Sequence, residues 1–190
     1  MAESTRWTRI VAAGVITGLV LFAFRPGEKD EETAEPERSS VVPRSLDIPA
    51  LDLDAPLMKL GMTDDGEVEL PPYDKPSTAG WFEHSAVPGD GGASVIIGHV
   101  DTKTAPAVFY KLRQLRKGQK ILVERSDGKV AEYQVDAVEQ VHKDSFPARR
   151  VYVEDGLKLV TCGGAFDWKE HEYRDNVIVY ASLVAPTRHA

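Results

Sequence analysis

Two β-forming runs bracket the only cysteine of the chain, and they constrain its fold more than any other stretch. The first run, Leu157 to Cys162, alternates. Leu157, Leu159 and Thr161 point to one face, and Lys158, Val160 and Cys162 to the other. Gly163 and Gly164 are predicted to interrupt it. The second run, Asn176 to Ala181, is strongly β-forming, with Arg174 at its start. If the two pair antiparallel, the end of the first lies beside the start of the second. Cys162 and Arg174 then share one edge of a sheet, under the loop between them. A thiol and a guanidinium held there form half of an acyl-transfer site and lack only a base.

The remaining pattern is mostly β. Leu46, Ile48, Leu51 and Leu53 predict two short strands broken at Pro49, which cannot donate to a central ladder. A brief strand is predicted over 67–70 and a short apolar one over 94–97, the latter leading into Gly98-His99-Val100-Asp101. The segment 78–92 reads as aromatic-bearing and turn-rich. Val108, Phe109, Leu112 and Leu115 have helical spacing, and Lys117-Gly118 supplies a stop. Residues 121–124 and 130–141 flank Asp127-Gly128, a hairpin signal. A small strand is predicted at 151–153 within an irregular stretch. Roughly eight strands and one helix predict an all-β barrel or sandwich.

The first 44 residues are predicted to lie outside that domain. Ile10 to Phe24 is an uncharged, largely apolar run behind Arg6 and Arg9. As a helix it spans roughly 22 Å, short of a hydrocarbon core of roughly 30 Å. It ends Leu-Phe-Ala-Phe-Arg-Pro, without a small-x-small cleavage site, and Trp7 and the arginines can extend the span by snorkelling. Residues 1–25 are therefore expected to be an uncleaved, single-pass signal anchor. The N-terminus is then cytoplasmic and the rest outside. Residues 26–44, with six carboxylates between Glu28 and Glu37, read as a solvated tether, and 45–190 as the folded domain.

The net charge of −7 and the lack of a basic stripe argue against nucleic acid as a partner. Nothing in the sequence supports a metal or other cofactor: there is no His-Glu-x-x-His, no Cys-x-x-Cys and no glycine loop between strand and helix. A single cysteine outside the cytoplasm makes no internal disulfide, so its thiol is either inert core or exposed for chemistry. A cysteine nucleophile needs a base. Of the five histidines, only His99 is delivered to a strand end by an apolar strand, as Cys162 is. Arg174 suits the third role, because a fixed guanidinium can stabilise a tetrahedral oxyanion. Asp101 reads as a turn residue and is left out of the catalytic set.

The stretches Gly98-His99-Val100-Asp101, Leu159-Val160-Thr161-Cys162 and Tyr173-Arg174-Asp175-Asn176-Val177 resemble the His, Cys and Arg motifs of sortases, in the family's order. The resemblance runs from about Leu46 to Val184. The Leu46-Asp47-Ile48-Pro49 opening and the Cys162-Gly163-Gly164 continuation look most like class F, with class E next. It implies an eight-stranded sortase β-barrel with one or two short helices. It also implies a membrane-anchored cysteine transpeptidase with His99, Cys162 and Arg174 as catalytic residues. Its partners would be surface proteins bearing a Leu-Pro-X-Thr-Gly-like signal and an amine acceptor such as a cell-wall precursor. Ile97, Val160 and Thr161 are expected to contact substrate, and 142–155 to correspond to the family's variable substrate-gripping loop. The family's Thr-Leu-x-Thr-Cys signature is met except at its first position, where Lys158 stands. Two other readings remain open at this stage: a hydrolytic cysteine peptidase using the same residues, and a non-enzymatic tethered β module with a core thiol.

Overall fold

The computed structural model describes residues 41–185. The expected anchor, and the expected tether up to residue 40, lie outside them. Eight strands form a closed barrel: β1 (Pro43–Ile48), β2 (Leu53–Leu60), β3 (Ala79–Phe82), β4 (Ala93–Ile97), β5 (Lys120–Arg125), β6 (Val130–His142), β7 (Gly156–Asp167) and β8 (Glu172–Leu183). Around the barrel the order is β1-β2-β3-β4-β7-β8-β6-β5, with β1 pairing β5 to close it. Two neighbouring pairs are parallel, β2 with β3 and β4 with β7. β1 begins at Pro43, so Pro43 and Arg44 belong to the first strand rather than to the tether.

The larger apolar cluster draws residues from all eight strands, which only the interior face of a barrel can do. Ile48, Ala55, Trp81, Ile96, Ile121, Tyr133, Leu159 and Val179 all belong to it. A second cluster lies on the outer face and joins Val95, Ile97, Val160, Ile178 and Tyr180 to Val151. Val151 comes from a short helix, α1 (Ala148–Tyr152), packed over that face. Hence β4 and the first half of β7 are buried on both sides. This is why β4 is apolar nearly throughout and why even Lys158 and Thr161 of β7 are buried.

The structure departs from the sequence reading in five places. Residues 106–115 form turns and one short 3₁₀ segment, Leu112–Gln114, rather than a helix. Their backbone donors are engaged elsewhere: the Val108 N–H donates to the Pro76 carbonyl and the Phe109 N–H to that of His99. The helical spacing is real, since all four apolar side chains enter the interior cluster, but they plug one end of the barrel. The strand expected at 151–153 is instead the end of α1, where the Val151 N–H donates back to Pro147. Residues 67–70 supply only an isolated bridge, Met62 to Val68. β3 has no alternation to reveal it, because all four of its residues are buried. Gly163 and Gly164 do not end β7, which runs on to Asp167 through a bulge.

Lys158, the position that differs from the family signature, is buried, and burial holds its amine below the usual lysine range. Its Nζ donates to the carbonyls of Glu154, Asp155 and Gly156. The ammonium thus ties together the link between α1 and β7. A Lys158→Thr substitution leaves those acceptors without a buried donor and is expected to destabilise the fold by about 1.5–3 kcal/mol. Denaturant unfolding of the variant measures this, and an unchanged midpoint would refute the role assigned to the amine.

Candidate active site

The parallel register of β4 with β7 pairs Ile96 with Leu159 and Ile97 with Val160. The Gly98 N–H extends it by one rung, donating to the Val160 carbonyl at 3.1 Å. His99 follows the end of β4 by two residues, and Cys162 lies two residues past Val160 within β7. By the strand period Cys162 falls on the outer face with Val160. Gly98 is required by close approach: a Cβ there would meet Val108 Cγ1 at 2.6 Å and Phe109 Cδ2 at 2.7 Å. His99 is 8% exposed, and its carbonyl accepts from the Phe109 N–H at 3.0 Å. Its Nε2 lies 2.6 Å from the Pro71 carbonyl, and the Tyr73 ring stacks on the imidazole with centroids 4.2 Å apart and planes 17° off parallel.

β8 flanks Cys162 on the other side, pairing Asn176 with it and Asp175 with Gly163. The register then slips, and Phe166 pairs with Tyr173. Gly164 absorbs the bulge with a φ of 75°, and a Cβ there would run into the Asp175 carboxylate. Arg174 stands opposite this bulge. Its guanidinium is held by Asp167, with Nε at 3.1 Å and a terminal nitrogen at 2.7 Å from Oδ2, and its side chain is 59% exposed. The pair holds the Asp167 carboxyl below the usual carboxylate range. Neither acidic neighbour of Arg174 in sequence takes that place: Asp175 accepts from Gln140 at 2.6 Å, and Glu172 pairs with Lys143 at 2.6 Å.

A cavity of about 200 Å³ opens beside the thiol, lined by Thr161, Cys162, Phe109, Tyr110, Arg113 and Tyr173 among others. Of the residues expected to contact substrate, Thr161 lines this cavity, and its buried hydroxyl has no hydrogen-bond partner. Ile97 and Val160 instead pair with each other in the outer cluster under α1. Across the cavity, the Tyr173 hydroxyl donates to Asp101 Oδ2 at 2.5 Å. That bond, with burial, pushes the Tyr173 phenol up to about 12. Asp101 therefore does more than make a turn, because it joins the segment after β4 to the start of β8. Strand parity places Tyr173 on the face opposite Arg174, the one sequence signal that could have singled it out, but nothing in the sequence assigned it a role of its own. Pro71 and Tyr73, in the connection between β2 and β3, carry no such signal.

Burial pushes the Cys162 thiol above the ordinary cysteine range. Lys143 opposes the shift, and the carboxylates of Glu172 and Asp101 add to it. The thiolate is therefore a minority species at neutral pH in the structure as it stands.

The sequence model of the sortase domain matches residues 46–184, well over half of the chain. No match is found among curated proteins. Solved structures with the same fold include Streptococcus agalactiae sortase C1, in its complex with MTSET, at 22% identity and a TM-score of 0.56, covering 77% of this chain and 69% of that one. Corynebacterium diphtheriae sortase A aligns at 21% identity and 0.57, covering 78% and 63%. Streptococcus pneumoniae sortase C aligns at 24% and 0.57, covering 78% and 71%. The chain thus spans about two thirds of the length of these structures, and at such identities the likeness is one of fold. The closed barrel and the domain match define an enzyme of the sortase type. This chain belongs to the sortase family.

Because the thiol is shifted upward, alkylation of Cys162 by iodoacetamide is expected to keep accelerating as the pH rises from 7 to 9. Asp101→Asn, which removes a neighbouring negative charge, is expected to move the curve to lower pH. A rate already level at pH 7 to 8 in the unmodified protein would contradict this electrostatic account.

Proposed function

We propose that this chain is a membrane-anchored cysteine transpeptidase, most like class F, that cuts a Leu-Pro-X-Thr-Gly-like signal on surface proteins and transfers it to an amine. The observation that supports this reading is the parallel register of β4 with β7, in which His99 follows Ile97 by two residues as Cys162 follows its partner Val160. In the proposed reaction the Cys162 thiol gives its proton to His99 as the sulfur attacks the threonine carbonyl and forms a tetrahedral oxyanion. His99 gives a proton to the departing glycine amine, leaving a threonyl thioester. An incoming amine then loses a proton to His99 and attacks the thioester, and the Cys162 thiolate leaves.

Arg174 is proposed to stabilise the oxyanion and to hold the signal peptide. It would have to exchange its Asp167 partner to do so. An exposed pair of this kind contributes only about 0–1 kcal/mol, so a desolvated oxyanion can compete for the guanidinium. Ile97 and Val160, paired at the floor between the strands, and Thr161 in the cavity are proposed substrate contacts. The segment 142–155, with α1 covering the outer face of β4 and β7, is proposed to grip the signal. The class assignment rests on the Leu46-Asp47-Ile48-Pro49 opening and the Cys162-Gly163-Gly164 continuation. The membrane anchor, with the catalytic domain outside the cell, rests on the run from Ile10 to Phe24 behind Arg6 and Arg9.

Incubation with a signal-peptide library and a glycine-peptide acceptor, read by mass spectrometry, tests this function. The expected product joins the peptide to the acceptor through the threonine carbonyl. Cys162→Ala and His99→Asn are expected to abolish it, and Arg174→Lys to slow it about 10²–10³-fold, because lysine lacks the planar fork. Hydrolysis alone in the presence of acceptor would refute transpeptidation, and turnover retained without Cys162 would refute the nucleophile.

A further inference from the structure

The connection between β2 and β3 contains Pro71-Pro72-Tyr73-Asp74-Lys75-Pro76 and reaches across to His99. Its three prolines restrict the backbone, and Pro71 is further restricted by the proline that follows it. The segment is also closed by an internal turn and fastened at its C-terminal end. The Lys75 N–H donates to the Pro72 carbonyl at 3.0 Å, and the Val108 N–H to that of Pro76 at 2.7 Å. Phe109, the residue after Val108, donates to the His99 carbonyl. One short stretch, Val108-Phe109, thus fixes both the imidazole's backbone and the segment that touches its ring.

A carbonyl oxygen can only accept a hydrogen bond, so His99 Nε2 at 2.6 Å from Pro71 must carry the hydrogen. In a neutral imidazole that choice leaves the lone pair on Nδ1. Among the described residues, no hydrogen bond to Nδ1 is present. The stacked Tyr73 ring, at 4.2 Å and 17°, fixes the plane in which that lone pair lies.

We propose that the Pro71–Tyr73 segment positions His99: the Pro71 carbonyl keeps the proton on Nε2, the Tyr73 ring sets the orientation of the imidazole, and Nδ1 is the nitrogen that exchanges protons in the reaction. This rests on the reading of His99 as the acid and base. Nδ1 takes the thiol proton of Cys162 and gives it to the departing amine, then takes one from the incoming amine and returns it to the departing thiolate, while Nε2 keeps its hydrogen, donated to the Pro71 carbonyl, throughout. Pro71 supplies through its backbone the orienting acceptor that a carboxylate gives in a Ser-His-Asp triad. Pro71 and Tyr73 are positioning residues and form no bond to the reacting atoms.

Nitrogen-15 NMR of the full chain labelled at histidine reads the tautomer directly, with the His99 signals assigned by their loss in His99→Asn. The expected spectrum shows Nε2 bearing hydrogen and Nδ1 with the lone pair. Tyr73→Phe, which keeps the ring, is expected to preserve that spectrum and kcat. Tyr73 is 68% exposed, so Tyr73→Leu leaves the fold intact. It is expected to give a mixture of tautomers and to lower kcat on the order of tenfold, with KM within twofold. A ring with hydrogen on Nδ1 overturns the inference even if peptides are ligated. So does a Tyr73→Leu protein with the parent tautomer, whether its kinetics are unchanged or its KM alone rises, the latter marking Tyr73 as a substrate contact. The spectrum needs no substrate. Absent ligation beside an Nε2–H ring that Tyr73→Leu disturbs would overturn the transpeptidase reading while upholding the positioning.

Discussion

The parallel ladder between β4 and β7 is the constraint on which the site depends. Parallel neighbours keep their ends together, so two strands that run side by side deliver their C-terminal residues to one edge of the barrel. Here His99 comes two residues after the end of β4, and Cys162 two residues past the last residue of β7 that pairs with β4. The ladder is held rigidly because both of its faces are buried, by the barrel interior on one side and by α1 on the other. Its last rung, from Gly98 to Val160, is possible only because Val108 and Phe109 close over a position that has no side chain.

Around that ladder, the site is built from contacts that reach it from three other parts of the chain. The β7–β8 hairpin brings Arg174 and Tyr173, one on each face of β8, and the bulge at Gly164 lets the hairpin continue past the cysteine. Tyr173 bonds to Asp101, which ties that hairpin to the segment following His99. The connection between β2 and β3 brings Pro71 and Tyr73 to the imidazole. Lys143 and Glu172 form an ion pair that also acts on the thiol, the lysine lowering its pKa and the glutamate raising it. Burial outweighs the lysine, so the resting thiol is protected rather than activated.

Much of this was legible from local pattern. The hairpin of β7 and β8 was readable because its strands are neighbours in sequence and one alternates around a single cysteine. The hairpin at Asp127-Gly128 was readable from its turn, and Gly128 adopts the positive φ that such turns need. What pattern could not show was which distant strands pair. β4 and β7 lie far apart in sequence, so their parallel pairing was not readable, and the pairing of His99 with Cys162 rested on their delivery to strand ends and on the motif resemblance. Two elements misled for the same physical reason. Residues 106–115 have helical spacing and residues 151–153 have β-branched content, yet tertiary partners decided both. β3, with Gly80 at its second position and no polar face, gave no signal at all.

The most direct measurement of the central geometry is disulfide trapping in a His99→Cys variant. Neighbouring positions on adjoining strands fall within the Cα separation of about 4.4–6.8 Å that a disulfide requires. Mild oxidation is expected to join the new thiol to Cys162, giving a mass loss of two hydrogens and no alkylatable cysteine until reduction. Two thiols that stay separate and alkylate independently after oxidation, in a protein that remains folded, would contradict the account.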